Sequence, residues 1–335
     1  MQIIDTRPRV DFPVDSSHHR VGLFLVPGFA LMSYSAVVEP LRAANMLSGF
    51  NLYSWQHLAS GEEVVKASSG VGIIADSLIG AERDIDTLFV VASGNPTVFD
   101  HKPTFSWLRR MAKKGVRMGG VSGGPFILAR AGVLGGYRCT IHWEHAPAFR
   151  EAFPNIELTR GLFEIDRNRL TCAGGIAALD MMHVLIAAMH GHALANGVND
   201  WFLQTQTRAG GDPQRLPVRE QYGVHNAKLL RVLELIEQQI EEPIGRARLA
   251  EVAGVSVRQL DRLFREHIGT SLNAHYANIR LERARLLLRQ TALSIIEVAL
   301  ATGYKSASHF SRSYGIRFGR QPRTERLPGA ARTRP

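Results

Sequence analysis

A chain of 335 residues exceeds one ordinary small domain, and with 45% hydrophobic and 21% charged residues it is neither disordered nor fibrous, so two or three domains with their own cores are expected. The net charge of +10 is unevenly held: residues 226–335 carry 19 Lys and Arg against 10 Asp and Glu, while residues 1–225 hold 21 against 20, which directs a polyanionic partner such as nucleic acid to the last third. The two cysteines, Cys139 and Cys172, form no short-spaced pair, which excludes a disulfide scaffold or a cysteine metal site and fits a reducing, cytoplasmic setting.

Residues 1–19, which include His18 and His19, have no apolar run of signal-peptide length and read as a loose leader. From Val21 the run VGLFLVPGF predicts a strand ending at Pro27-Gly28, and residues 35–47 have apolar side chains at helical spacing. The unit recurs. Residues 87–92 are a strand followed by SGNP and a helix over 104–114; residues 116–121 are a strand ending at SGGP and opening into a helix over 126–131. A further strand, 169–173, meets Gly174-Gly175 and leads into a helix over 177–190. Short apolar strands alternating with helices predict an α/β domain over 20–198, a flavodoxin-like parallel sheet with helices on both faces. Ligands of such sheets sit outside the carboxyl ends of the strands, here Pro27-Gly28, Ser93-Gly94, Ser122-Gly123 and Gly174-Gly175. The apolar tract 176–195 is broken by Asp180, His183, His190 and His192, so it reads as a buried helix and not a membrane span. These histidines lack matched ligands elsewhere, and no metal or cofactor is expected.

Residues 199–225 contain Gly-Gly, Asp-Pro and Leu-Pro dipeptides and read as a linker. Beyond it, 226–325 reads as an all-α domain, with a flexible tail over 326–335. Leu229, Val232, Leu233, Ile236 and Ile240 share a helix face that Pro243 ends. A short helix over 248–253 meets Gly254, and Ser256 caps the next; Gly followed closely by a Ser N-cap sets two short helices at a steep angle. The pattern repeats 50 residues on, with a helix over 294–301, Gly303 and Ser306, and a long helix over 272–289 lies between. Two helix-turn-helix units braced in this way would enter successive major-groove segments. The first recognition helix offers Arg258, Gln259 and Arg262 to base edges, the second Ser306, Ser308 and His309. Lys305, Arg312, Arg317 and Arg320 are placed for phosphate. Leu260, Leu263, Phe264, Ile295, Val298 and Phe310 are read as core.

The segment GYKSASHFSRSYGIRFGRQPRTER, with Tyr304, Phe310, Phe318, Gly319 and Pro322, resembles the C-terminal signature of the AraC/XylS family, and LAEVAGVSVRQLDRLFREHIGTSLNAHYANIRLERARLLL resembles its first unit and connecting helix. The resemblance spans about 100 residues and implies sequence-specific binding to double-stranded DNA.

GGVSGGPFILARAG reads as a strand, a sharp turn and a helix with Ser122 at the apex, and His142 follows 20 residues later in CTIHWEH. A serine on such an elbow with a histidine partner would suit a hydrolase or amidase. The pattern resembles the PfpI group of the class I glutamine amidotransferase-like fold, whose elbow normally bears cysteine. Ser122 stands at that position, and Ser33 falls near the place of the acidic residue found in peptidase-like members. Both departures argue against catalysis. A PfpI-like domain followed by an AraC-type domain is the layout of the GlxA-like regulators, which include regulators of carnitine, glycine betaine and arginine catabolism. The resemblance implies a transcriptional regulator, an activator and homodimer working on promoter half-sites with RNA polymerase, in which the former catalytic cleft senses a small molecule. The implied pocket is Gly28, Phe29, Glu39, Gly94, Asn95, Ser122, Gly123, His142 and Trp143, with Glu39 and the Trp143 ring facing an ammonium and elbow N–H groups a carboxylate. The alternative is a hydrolase with Ser122 as nucleophile and His142 as base, joined to a DNA-binding domain.

Overall fold

The computed structural model describes residues 18–326, and the chain divides into two compact units, one ending at Gln214 and the other beginning at Arg215. The leader over 1–17 and the tail beyond Arg326 lie outside the described residues.

The first unit contains β1 (His19–Leu25), α1 (Leu31–Ser48), β2 (Tyr53–Ala59), β3 (Val64–Lys66), β4 (Gly72–Ile74), β5 (Ser77–Leu78), β6 (Thr87–Ala92), α2 (Lys102–Lys113), β7 (Arg117–Ser122), α3 (Gly124–Arg130), α4 (Ala146–Ala152), β8 (Phe163–Asp166), β9 (Arg169–Cys172), α5 (Ala177–His190) and α6 (His192–Trp201). Seven strands form one sheet in the order β5-β2-β1-β6-β7-β9-β8, parallel except for the β8–β9 hairpin. β3 and β4 pair separately. Side chains alternate between two cores, because successive residues of a strand point to opposite faces. Leu23 and Leu25 of β1 and Phe89 and Val91 of β6 pack with α1, α5 and α6. Phe24, Leu88 and Val90 pack on the other face with Trp107, Leu108 and Met111 of α2 and Phe126 and Phe149 of α3 and α4. Burial on both faces is why these strands read as unbroken apolar runs.

Three expectations are corrected. His18 and His19 belong to the fold: His19 opens β1 with its Nε2 2.9 Å from Thr87 Oγ1, and the His18 ring lies 2.7 Å from the Asn51 carbonyl oxygen. The tract 176–195 is two helices, broken at Gly191, and no helix among the described residues is long and apolar enough to cross a membrane. Residues 199–214 are packed chain and not a free linker. Asp180 of α5 is fully buried and needs a partner there; Arg208 returns to it with hydrogen bonds of 2.6 and 3.0 Å, and Gln204 Nε2 donates to it at 2.7 Å. The Gln214 amide donates to the carbonyls of Ile141 and Gly161.

The second unit is helical: α7 (Val218–Tyr222), α8 (Ala227–Gln238), α9 (Arg246–Ala253), α10 (Val257–Ile268), α11 (Leu272–Gln290), α12 (Ile295–Ala301), α13 (Ala307–Phe318) and a 3-10 turn (Pro322–Glu325). It has two cores joined by α11. Leu272 and Tyr276 at its start pack with Leu229, Leu233, Leu249, Leu260 and Phe264, while Leu281, Leu287 and Leu288 pack with Val298, Phe310 and Tyr314. Gly303, with φ of +75°, turns the chain between α12 and α13, and a Cβ there would lie 2.5 Å from Pro243 Cγ and 2.8 Å from the Ile240 oxygen.

Candidate functional site

β7 delivers Ser122 at φ of +59°, one of three non-glycine residues among those described in the left-handed region. The elbow is crowded from behind. A Cβ on Gly174 would meet Ser122 Cβ at 2.5 Å and Ser33 Oγ at 2.7 Å, so only glycine fits after β9. Ser33 Oγ accepts the Gly175 N–H at 2.7 Å, which places a neutral hydroxyl beside the elbow. Below it, burial pushes the Cys172 thiol up to about 12, so this sulfur is inert.

His142 donates its backbone N–H to the Ser122 carbonyl at 3.3 Å, which brings the two residues together. Its ring Nδ1 accepts from the Glu144 N–H at 3.4 Å and lies 4.0 Å from the Glu144 carboxylate. Burial holds the ring below its ordinary value, with Glu144 opposing. Among the described residues no hydrogen bond joins Ser122 Oγ to the His142 ring, and the Gly123 N–H is donated to the Ala92 carbonyl at 2.9 Å. The nucleophile–base contact and one elbow donor that acyl chemistry requires are therefore missing from this arrangement. Trp143, 43% exposed, stands next to His142 with ring centroids 5.4 Å apart.

The rest of the expected pocket separates. Gly28 and Gly94 follow the neighbouring strands β1 and β6 by three and two residues, both at positive φ, and Gly123 lies against Pro96 beside Asn95. Asn95 Oδ1 accepts from the Thr97 N–H and hydroxyl, so its side chain caps a turn. Phe29 is fully buried, edge-on to Tyr34, and is core. Glu39 faces Arg42 one turn on along α1, at 2.6 Å, and is not a free counter-charge. Glu144 was missed by sequence reasoning; its only signal was proximity to His142 in CTIHWEH. Among the described residues no three His, Cys, Asp or Glu side chains gather as a metal site requires.

In the second unit α9, Gly254 and α10 form the first helix-turn-helix, and α12, Gly303 and α13 the second. Ser256 and Gln259 close a capping box: Ser256 Oγ accepts the Gln259 N–H, and Gln259 Oε1 accepts the Ser256 N–H at 2.9 Å. Gln259 thus helps to hold the helix start through its side-chain oxygen. Ser306 likewise caps α13, accepting the His309 N–H at 3.3 Å. Arg258, Arg262, Lys305, Ser308, His309 and Arg312 remain exposed, Arg262 sharing a 3.5 Å ion pair with Glu266. Arg265, exposed on α10, joins them as a cation the sequence reading passed over. Arg317 pairs with Glu282 at 3.1 Å and Arg320 with Glu325 at 2.9 Å, so both are held within the domain instead of standing free for phosphate.

Residues 19–188 match the DJ-1/PfpI family and residues 249–327 a helix-turn-helix domain. The chain is 46% identical over 304 residues to the HTH-type transcriptional regulator GlxA of Rhizobium meliloti, covering 90% of this chain and 94% of that protein. It is 43% identical over 302 residues to the HTH-type transcriptional regulator CdhR of Pseudomonas aeruginosa, covering 90% of each. A crystal structure of an AraC family transcriptional regulator from Pseudomonas putida superimposes with a TM-score of 0.51 at 28% identity, covering 55% of this chain and 99% of that one. The chain belongs to the family of DNA-binding transcriptional regulators that join a DJ-1/PfpI domain to an AraC-type helix-turn-helix domain.

Proposed function

We propose that the chain is a cytoplasmic, ligand-responsive activator whose DJ-1/PfpI unit senses a small amino-acid or quaternary-amine metabolite and whose second unit acts at promoter half-sites. The observation that carries the reading is the elbow. Ser122 keeps a left-handed backbone that costs on the order of 1–2 kcal/mol, yet its hydroxyl has no base, and Trp143 stands exposed alongside. Strain retained at the open end of a parallel sheet, without the hydrogen bond that chemistry needs, fits a binding cleft. The proposed site is Ser122, Gly123, His142 and Trp143, rimmed by Gly28 and Gly94. The Glu144 N–H directed at His142 Nδ1 favours the tautomer with the proton on Nε2, where with the Ser122 hydroxyl it would meet a ligand carboxylate. The Trp143 face and the Glu144 carboxylate would meet an ammonium, the role first expected of Glu39. A homodimer would set two DNA-binding units on repeated half-sites, within reach of RNA polymerase.

The test is thermal shift of the full chain against glycine betaine, carnitine, choline, dimethylglycine and arginine, because a ligand that binds only the native state raises Tm. The expected result is a rise with one of them that is lost in W143A. No rise with any of them would remove the sensor reading as stated. Recovery of the ligand as a hydrolysed product by NMR would favour the Ser122–His142 hydrolase instead.

A further inference from the structure

Glu325 closes the 3-10 turn that follows α13, and its side chain is only 1% exposed. Three guanidinium groups converge on it. Arg285 and Arg289 donate from α11 through Nε at 3.0 and 2.7 Å, and Arg320 Nε lies 2.9 Å away from the other carboxylate oxygen. The Tyr314 hydroxyl of α13 is buried nearby but makes no hydrogen bond to it. Burial alone would push this carboxyl up, but the arginine hydrogen bonds hold it below its ordinary value, so it is charged. Around it, Arg285 lies over the Phe318 ring at 4.9 Å and Arg317 reaches Glu282 of α11. One carboxylate thus joins the long bracing helix to the chain that leaves the second recognition helix.

The first recognition helix has a different tie. Asp261 of α10 pairs with Arg246 of α9, within its own helix-turn-helix, and Asp261 is 19% exposed. A buried anion facing three cations has two physical consequences. It fixes the seat of α13 on α11, since removing one partner of a buried ion pair leaves uncompensated charge. It also holds three arginines that, released, would bind phosphate without reading sequence.

We propose that Glu325 is a positioning residue for sequence-specific DNA binding: it sets the bearing of the second recognition helix and, by engaging Arg285, Arg289 and Arg320, keeps non-specific affinity low. The inference rests on DNA binding by this domain and is independent of the effector reading. Its signature is a change in discrimination with a change in salt dependence of the opposite sense to a lost contact. E325Q keeps the shape and removes the charge. The probes are a duplex selected from random sequence by the wild-type chain and an unselected duplex of equal length. In E325Q the affinity ratio between them falls by about tenfold or more, while the slope of log K against log salt on the unselected duplex steepens by roughly one released counterion or more. A folded E325Q with unchanged ratio and unchanged slope overturns the proposal. R320Q keeps it testable if E325Q does not fold: a several-fold loss of discrimination with an unchanged slope is expected, whereas a slope shallower by about one at unchanged discrimination makes Arg320 an ordinary phosphate contact and overturns the proposal.

Discussion

The two helix-turn-helix units share a sequence pattern, a glycine turn with a serine cap two or three residues later, but are supported differently. At the first turn a Cβ on Gly254 would have nothing within 4 Å, and α10 presents exposed arginines at 258, 262 and 265. At the second, Gly303 is pressed against Pro243 and the Ile240 carbonyl, and the cations at the end of α13 are paired inside the domain. The first helix-turn-helix is arranged to present charge and the second to be held in position. Identical local patterns therefore carry different energetic loads, set by what lies across from them.

The largest effect that would break this comparison is at the turns. Both glycines are left-handed, so any side chain costs about 1–2 kcal/mol, but only at position 303 does overpacking add to it. Gly303→Ala is expected to destabilise the second unit by about 3 kcal/mol and Gly254→Ala by about 1 kcal/mol. All four tryptophans, Trp55, Trp107, Trp143 and Trp201, lie in the first unit. Urea unfolding followed by helix circular dichroism but silent in tryptophan fluorescence isolates the second, and equal costs at the two turns would contradict the contrast.

Next in size is base reading. Arg262→Ala is expected to lower discrimination between the selected and unselected duplexes by about tenfold, in line with 1–3 kcal/mol for a good base contact. Arg317→Ala is expected to change it less than about twofold, because an exposed ion pair with Glu282 is worth about 0–1 kcal/mol. A larger loss from Arg317 than from Arg262 would reverse the assignment of roles.

A smaller effect distinguishes the units by pH. Burial lowers the titration of His275 in the second unit, and of His19 and His142 in the first. The folded chain resists protonation at these rings while the unfolded chain takes protons near 6.5, so below that pH the unfolded state binds more of them and stability is lost as pH falls. Melting at pH 7.5 and 5.5 should show both units weakened on acidification, and His275→Phe should reduce the loss in the circular dichroism transition alone. An acid-induced gain in stability would overturn the sign.

The contrast also marks where sequence was readable. β1 and β6 were plain because both faces are buried, and the Ser256 and Ser306 caps because only a few side chains satisfy a helix start. β2 was missed: its YSWQHLA is half exposed and neither alternates nor runs apolar. Side-chain engagement was the least legible property. Arg320 on Glu325, Gln259 in its cap and Glu39 on Arg42 are polar residues of helices or their ends, and their type is the same whether they are paired or free. Glu325 itself reads as one more charge in a basic tail until three arginines from distant positions are seen around it.

The smallest expected effect is at the elbow, where the turn is held by serine instead of the glycine found at both helix-turn-helix turns. Ser122→Gly removes a left-handed side chain, but it also loosens the unfolded chain, and the two terms oppose each other. A change within about 1 kcal/mol is expected in the fluorescence-detected unfolding of the first unit, because relief of the left-handed side chain and the added freedom of the unfolded chain are of similar size. If the proposed sensor reading holds, the same variant should bind effector more weakly while folding as well or better, since strain at the site serves the ligand and not the fold. A variant that is clearly less stable would instead make the Ser122 side chain part of the first unit's packing, and the elbow would then need no functional explanation.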